Sequence, residues 1–236
     1  NAKLNFLYFS YAPDFDYLLL SLKTLKENVN QQYLGKVFLV VDQKSPFNDQ
    51  QIKLFRSLFP SLVIFPIENF SWGSAQSTWE ELQIFKKACE ELPSELDFLI
   101  KVDSDVLFVN DRKLIKLLKA NTKAVGDGHF LQYQYAQGGL YMMRKGLIEK
   151  IFKNTSIEDI EKVVNTIKSV GEDMAISFLL TQNKTPFFFT RLMLFPDEYN
   201  QLKKINRWVK HEFVALHCHK DKENMVNLLN KFSVYH

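Results

Sequence analysis

Four short apolar runs, separated by stretches with helical spacing, constrain the fold of this chain more than any other feature. They cover residues 4–9 (LNFLYF), 36–41 (KVFLVV), 62–67 (LVIFPI) and 98–102 (FLIKV). Runs of this length and character read as buried strands. Three helical stretches lie between them. Residues 15–27 carry Leu18, Leu19, Leu22 and Leu25 at helical spacing, residues 49–59 stop before Pro60, and residues 72–92 open with Trp72, Gly73, Ser74 and Ala75. Strands that alternate with helices pair in parallel through right-handed crossovers. The expected class is α/β, with an open, mostly parallel central sheet flanked by helices. All strand C-termini then share one edge, where ligands bind in such sheets.

The alternation loosens after Asn110. Residues 113–120 read as a helix, 124–126 as a short strand and 132–137 as a polar, aromatic stretch. Gly138 and Gly139 precede an apolar strand at 140–143. Helices are expected over 145–152, 158–170 and 174–180, the last begun by Gly171-Glu172-Asp173. Short strands at 187–189 and 192–195, a last strand at 213–219 and a helix at 221–232 complete the pattern. No repeat or linker is visible, so residues 1–236 read as a single domain with a smaller, more variable region in its second half.

Composition narrows the function. A length of 236 residues suits one large domain or two small ones, and 21 phenylalanines imply an aromatic-rich core. A net charge of +3, evenly spread, argues against a nucleic-acid partner. No stretch approaches the ~18 apolar residues of a membrane span. Cys89 and Cys218 form no disulfide framework and point to a reducing compartment. The expected location is cytoplasmic, with peripheral attachment at the cytoplasmic face of a membrane as an alternative. No signal peptide is visible, and Asn1-Ala2 resembles the remnant of a cleaved tag, which leaves a preceding native segment open.

The chemistry concentrates where the fourth run ends. Asp103-Ser104-Asp105 follows it, and a second apolar run, 106–109, comes at once. In an extended segment, residues two apart point to the same side, so both carboxylates are expected to project together. Paired carboxylates in an apolar setting repel each other and are costly to desolvate, and a divalent cation relieves both problems. The alternative is a polar loop, with Asp103 as turn former and Asp105 as helix cap. His217 and His219 repeat the i, i+2 spacing in FVALHCHKD, and Cys218 between them points to the opposite face, which disfavours zinc.

With these landmarks in this order, the chain resembles the nucleotide-sugar-dependent glycosyltransferases of the GT-A fold. The likeness rests on the first strand and its loop (8–13), the leucine-rich helix (18–25), KVFLVVDQKS, Asp103-Ser104-Asp105, Gly138-Gly139-Leu140-Tyr141, Gly171-Glu172-Asp173 and the late histidines. It implies one GT-A-like domain, with residues 1–110 binding the nucleotide sugar and 111–236 forming the acceptor side and the C-terminal metal-ligand strand. Asp105 would bind Mn²⁺ or Mg²⁺, with Asp103 on the metal or the donor ribose and Ser104 beside them. One of His217 and His219 would complete the shell. The donor would be a nucleoside-diphosphate sugar of the UDP or GDP type, its diphosphate bridged by the metal and contacted by Lys220 or Lys222. Ser10, Tyr11 and Ala12 would cover the base, Asp42 would bind base or ribose, and Gly73 and Ser74 would converge on the same edge. For Asp42, an ordinary turn aspartate is the alternative. Gln137, Gly138 and Gly139 would approach the sugar, with Trp72 and Tyr135 as stacking platforms.

Asp173, beside Glu172, is the implied base, and capping of the helix is the alternative. A base there would deprotonate the hydroxyl of a carbohydrate-type acceptor (glycan, lipid or protein linked) and invert the anomeric centre. Retention, for which members of the family have no agreed base, is the alternative. Oligomeric state is not legible. Among rival readings, a haloacid-dehalogenase-like phosphohydrolase would carry Asp-x-Asp-Gly-Thr near its start. A pyrophosphorylase would have a basic glycine-rich loop where this chain has Ser10-Tyr11-Ala12-Pro13. A catalytically silent sugar-binding relative would keep the core and lose metal dependence.

Overall fold

A computed structural model describes residues 1–10, 12–68, 74–130, 134–168, 171–201 and 212–233. Four strands, β1 (Leu4–Ser10), β2 (Leu34–Asp42), β3 (Val63–Ile67) and β4 (Phe98–Asp103), lie parallel in the order β3-β2-β1-β4. Helices α1 (Phe15–Asn28), α2 (Asp49–Leu58) and α3 (Ala75–Glu90) connect them. Alternation within the strands explains why both faces are covered. Leu4, Phe6 and Tyr8 pack with Leu18, Leu22 and Phe55, whereas Leu7 and Phe9 pack with Leu82 and Phe85.

The second half extends the same sheet. Helix α4 (Arg112–Lys119) is followed by β6 (Ala124–Phe130) and β7 (Gln134–Arg144), an antiparallel pair, with β7 also antiparallel to β4. Strand β7 therefore begins at Gln134, earlier than the apolar run at Leu140. Of its early residues, Gln134 is exposed, Ala136 packs in the core, and Gln137, Gly138 and Gly139 line the cleft described below. Helices α5 (Lys145–Phe152), α6 (Ile157–Ile167) and α7 (Glu172–Gln182) follow, and β8 (Phe188–Phe189) adds an edge strand parallel to β6.

The second apolar run leaves this sheet. As β5 (Val106–Phe108), it joins β9 (Met193–Leu194) and β10 (Ala215–His217) in a small sheet ordered β5-β10-β9. Two buried polar residues of α1 hold it there: Ser21 donates to the Val106 carbonyl (2.5 Å), and Thr24 accepts from the Phe108 amide (3.0 Å). Helices α8 (Pro196–Tyr199) and α9 (Lys222–Ser233) complete the described elements. Among the described residues, no helix is long and apolar enough to cross a membrane.

The far edge of the sheet is pinned by one buried cation. Arg144, at the end of β7, stacks 3.9 Å above the Phe98 ring. It donates to the carbonyls of Leu117, Leu118 and Ala120 at the end of α4, and to those of Thr122 and Leu96. It therefore caps α4 and ties two connections to the sheet. Arg144→Met is expected to lower the unfolding free energy by roughly 2–4 kcal/mol in urea titrations, because buried carbonyls lose a charged donor. Arg144→Lys should recover only part of this, since an ammonium cannot span the same set.

Candidate active site

The strand order reverses between β1 and β4: the chain winds outward from β1 through β2 and β3, then returns to place β4 on the other side. Crevices at such switch points, outside the strand C-termini, receive ligands. Here the strands end at Ser10 and Asp103, and Phe9 lies in register with Asp103. A cleft of about 320 Å³ opens at this point. Ser10, Asp103 and Ser104 line it from the strand ends, and Gln137, Gly138 and Gly139 from β7. Glu172 and Asp173 contribute from the first turn of α7, and Lys220 from beyond β10.

Other expected residues lie elsewhere. Asp42 ends β2 and accepts the Lys44 amide at 2.9 Å, as a turn aspartate does. Ala12 donates its amide to the Ser45 carbonyl, and Ser74 caps α3 by accepting from the Ser77 amide. Lys222 pairs with Asp16 at the surface. Tyr135 is half-buried in β7 and does not line the cleft. Tyr11, Trp72 and Gly73 lie outside the described residues.

The two aspartates come together differently from the expectation of a shared strand face. Strand β4 ends at Asp103, and the chain turns through Ser104 and Asp105 before β5 departs into the small sheet. The turn is held on both sides: Ser104 donates to Asp14 Oδ2 (3.0 Å), and Asp105 Oδ2 accepts the Lys220 amide (2.8 Å). His217 arrives on β10, in register with Val106. The expected strand at 213–219 is correspondingly shorter. His219 and Lys220 adopt left-handed φ values of 49° and 55°, and the exposed His219 ring lies edge-on to His217 at 4.5 Å.

Asp103, Asp105 and His217 thus form one group, with one ligand atom from each lying within 4.8 Å of the others. His219 is not part of it. His217 Nε2 is 3.9 Å from Asp103 Oδ2 and 3.8 Å from Asp105 Oδ1, too far for hydrogen bonds. Asp105 Oδ1 is buried and has no hydrogen-bond partner among the described residues. A buried carboxylate oxygen in that state is costly unless something satisfies it. Two carboxylates and one imidazole converging on a small gap fit a divalent cation, and the carboxylates favour Mn²⁺ or Mg²⁺ over softer metals.

Gly139 makes the convergence sterically feasible. A Cβ on it would lie 2.6 Å from His217 Cδ2, and one on Gly138 would lie 2.9 Å from Asp173 Oδ2. The glycine pair lets β7 pass between the cation group and α7.

Charge in the cleft is unevenly distributed. Burial works against the Asp103 charge, but Lys101 and His217 outweigh it and hold this carboxyl well below the usual range. Burial pushes Asp105 upward despite His217. Asp173 is raised to about 7, first by burial and then by the charge of Glu172. The favourable field of a helix N-terminus does not offset these two effects. Glu81, reaching in from α3, is pushed well above the ordinary glutamate value by burial and by Glu172. His217 loses stability as a cation through burial, yet Asp103 and Asp105 raise it overall.

Lys101, Glu81 and Asp14 line this cleft without having been singled out in the sequence. For Lys101 a signal exists: a lysine inside the apolar run FLIKV is unusual, since lysine is seldom fully buried without a partner. Glu81 and Asp14 carry no comparable local signal.

Neither a protein-family model nor a curated protein sequence matches this chain. Solved structures do. Mouse xyloside xylosyltransferase 1, in its apo form, aligns over 93% of this chain and 98% of its own, with 10% identity and a TM-score of 0.56. The apo structure of the bifunctional glycosyltransferase WbbM aligns over 96% of this chain and 49% of its own, with 9% identity and a TM-score of 0.61. The fold is GT-A-like. In this GT-A-like fold, the sheet's switch point and the Asp103–Asp105–His217 group coincide.

Mn²⁺ is expected to raise the melting temperature by mass action on the native state. Asp105→Ala should abolish that rise and His219→Ala should retain it, which thermal melts with and without metal would check. Gly139→Ala should weaken Mn²⁺ binding about tenfold by displacing the His217 ring, as outer-shell changes at metal sites do.

Proposed function

We propose that this protein is a metal-dependent glycosyltransferase that moves a sugar from a nucleoside-diphosphate sugar, of the UDP or GDP type, to an acceptor hydroxyl with inversion. The observation that carries the reading is the buried Asp105 Oδ1, without a hydrogen-bond partner among the described residues, grouped with His217 and with Asp103, which lines the switch-point cleft. The GT-A-like fold shared with glycosyltransferases supports it. A cation held by Asp103, Asp105 and His217 would supply Lewis-acid neutralisation of charge on the departing diphosphate. Lys220, whose ammonium is 3.3 Å from Asp14 Oδ2, adds positive charge at the same side of the cleft.

Across the cleft, Asp173 has the properties of a general base. It is half-buried, its raised pKa lies near neutrality, and its Oδ1 is oriented by the Met174 amide at 2.8 Å. With the acceptor hydroxyl between Asp173 and the anomeric carbon, proton removal accompanies attack opposite the diphosphate. Gly138 and Gly139 leave the β7 backbone room beside the sugar.

The first test is thermal stability against UDP, GDP, CDP and dTDP, each with and without Mn²⁺. One nucleotide is expected to stabilise the protein only with metal, and not in Asp105→Ala. If no combination shifts the transition, the reading fails in favour of a catalytically silent relative. With the donor identified, kcat/KM should fall as pH drops through about 7, because the base works ionised. Asp173→Asn should reduce kcat at least about 100-fold. An NMR assignment of product configuration completes the test: retention would remove the base role from Asp173.

A further inference from the structure

Lys101 lies in the middle of β4, buried, on the sheet face shared by Leu99 and Asp103. Its Nζ is 2.5 Å from Asp103 Oδ1, 2.6 Å from the Gly138 carbonyl oxygen and 3.3 Å from Glu172 Oε1. The ammonium donates hydrogen bonds to Asp103 and to the Gly138 carbonyl and forms an ion pair with Glu172, so its three contacts lie on β4, β7 and α7. Every contact has a functional neighbour. Asp103 belongs to the cation group, Gly138 packs against the Asp173 carboxylate, and Glu172 precedes Asp173 in the first turn of α7. Charge neutralisation alone does not account for this arrangement. A lysine serving the Asp103 charge alone would need neither the Gly138 carbonyl nor Glu172, yet the buried Lys101 gives up its own hydration to meet all three acceptors.

We propose that Lys101 is a positioning residue whose three contacts set the spacing between the cation-holding edge of the cleft and the first turn of α7. Its catalytic consequence rests on the transferase reading, but the tie itself is a property of the metal-free protein. Through Asp103 it aims one ligand of the cation group. Through the Gly138 carbonyl and Glu172 it holds β7 and α7 together at the place where Asp173 faces the cleft.

The test uses Lys101→Met, which keeps most of the stem and removes the ammonium. In the metal-free protein, hydrogen exchange is expected to quicken about tenfold at Gly138, Gly139 and residues 172–175, and to remain unchanged in β2 and β3. Mn²⁺ affinity, by calorimetry, should weaken about tenfold. With an active donor pair, kcat should fall about 100-fold with little change in donor KM, as misplacement of reacting groups does. A merely structural lysine would lower the melting temperature while leaving metal affinity and the kcat of the folded fraction unchanged, and that result would overturn the proposal. Should Lys101→Met fail to fold, Glu172→Gln cuts one arm of the tie. It should loosen exchange in the first turn of α7 alone, and wild-type exchange there would also overturn the proposal. If the wild-type protein binds no Mn²⁺ and transfers no sugar, the transferase reading falls, and the exchange comparison still decides the tie.

Discussion

The desolvation of acidic groups at one sheet edge is the constraint on which the rest of this site depends. Asp14, Glu81, Asp103, Asp105, Glu172 and Asp173 crowd around the switch point, faced by the ammonium groups of Lys101 and Lys220 and by His217. So many carboxyls cannot all be ionised there with so few cations. The structure divides them. Asp103 stays charged on its contact with Lys101, whereas Glu81 and Asp173 are pushed upward by burial and by the charge of Glu172. Asp105 is left with one oxygen on the Lys220 amide and one unpartnered. A divalent cation held by Asp103, Asp105 and His217 would add positive charge beside the unpartnered Asp105 oxygen, so the fit for a metal and the raised pKa of Asp173 trace to one electrostatic problem.

The cation group depends on both halves of the chain. Asp103 and Asp105 come from the end of β4, but His217 and the Lys220 amide arrive from near the C-terminus. The ladder that brings them is short: Val106, Leu107 and Phe108 pair with His217, Leu216 and Ala215, and Cys218 donates its amide to the Asp105 carbonyl at 3.0 Å. With so few rungs, the register must be held from outside. Ser21 and Thr24 on α1 do this on one flank, and β9 does it on the other. The consecutive left-handed residues His219 and Lys220 then turn the chain sharply enough for one amide to reach Asp105. Left-handed geometry in two successive non-glycine residues is unfavourable, and its location beside the cation group fits the tendency of strain to collect at functional sites.

The regular half of the fold was legible because its signal is local. Four apolar runs separated by helical periodicity leave few alternatives, and β1 to β4 lie parallel as that pattern requires. Asp103 and Asp105 were legible as a pair, but the reason for their pairing was not. Strand alternation suggested a shared face, whereas a turn and a change of sheet bring them together. That change depends on buried polar groups of α1 more than 80 residues away in sequence, at separations of 85 and 84, which no local pattern displays. The early residues of β7 were obscured for a similar reason. Gln134–Gly139 lack the apolar alternation of a strand because Gln134 is exposed and Gln137, Gly138 and Gly139 form part of the wall of a polar cleft.

Lys101 shows how far such reading can go. Within FLIKV it breaks an apolar run at a position whose side chain must point into a covered face, since Leu99 on the same face is fully buried. A lysine there either weakens the sheet or has acidic partners waiting for it. The sequence already held candidates two residues on, at Asp103, and on α7, at Glu172. What it could not supply was β7 as the intermediary: Lys101 lies opposite Tyr141 in the antiparallel ladder, which brings the Gly138 carbonyl within its reach. A strand interrupted by one buried cation therefore constrains more than its own pairing. It requires that acidic groups from other elements meet it, and in this chain those groups include both sides of the cleft.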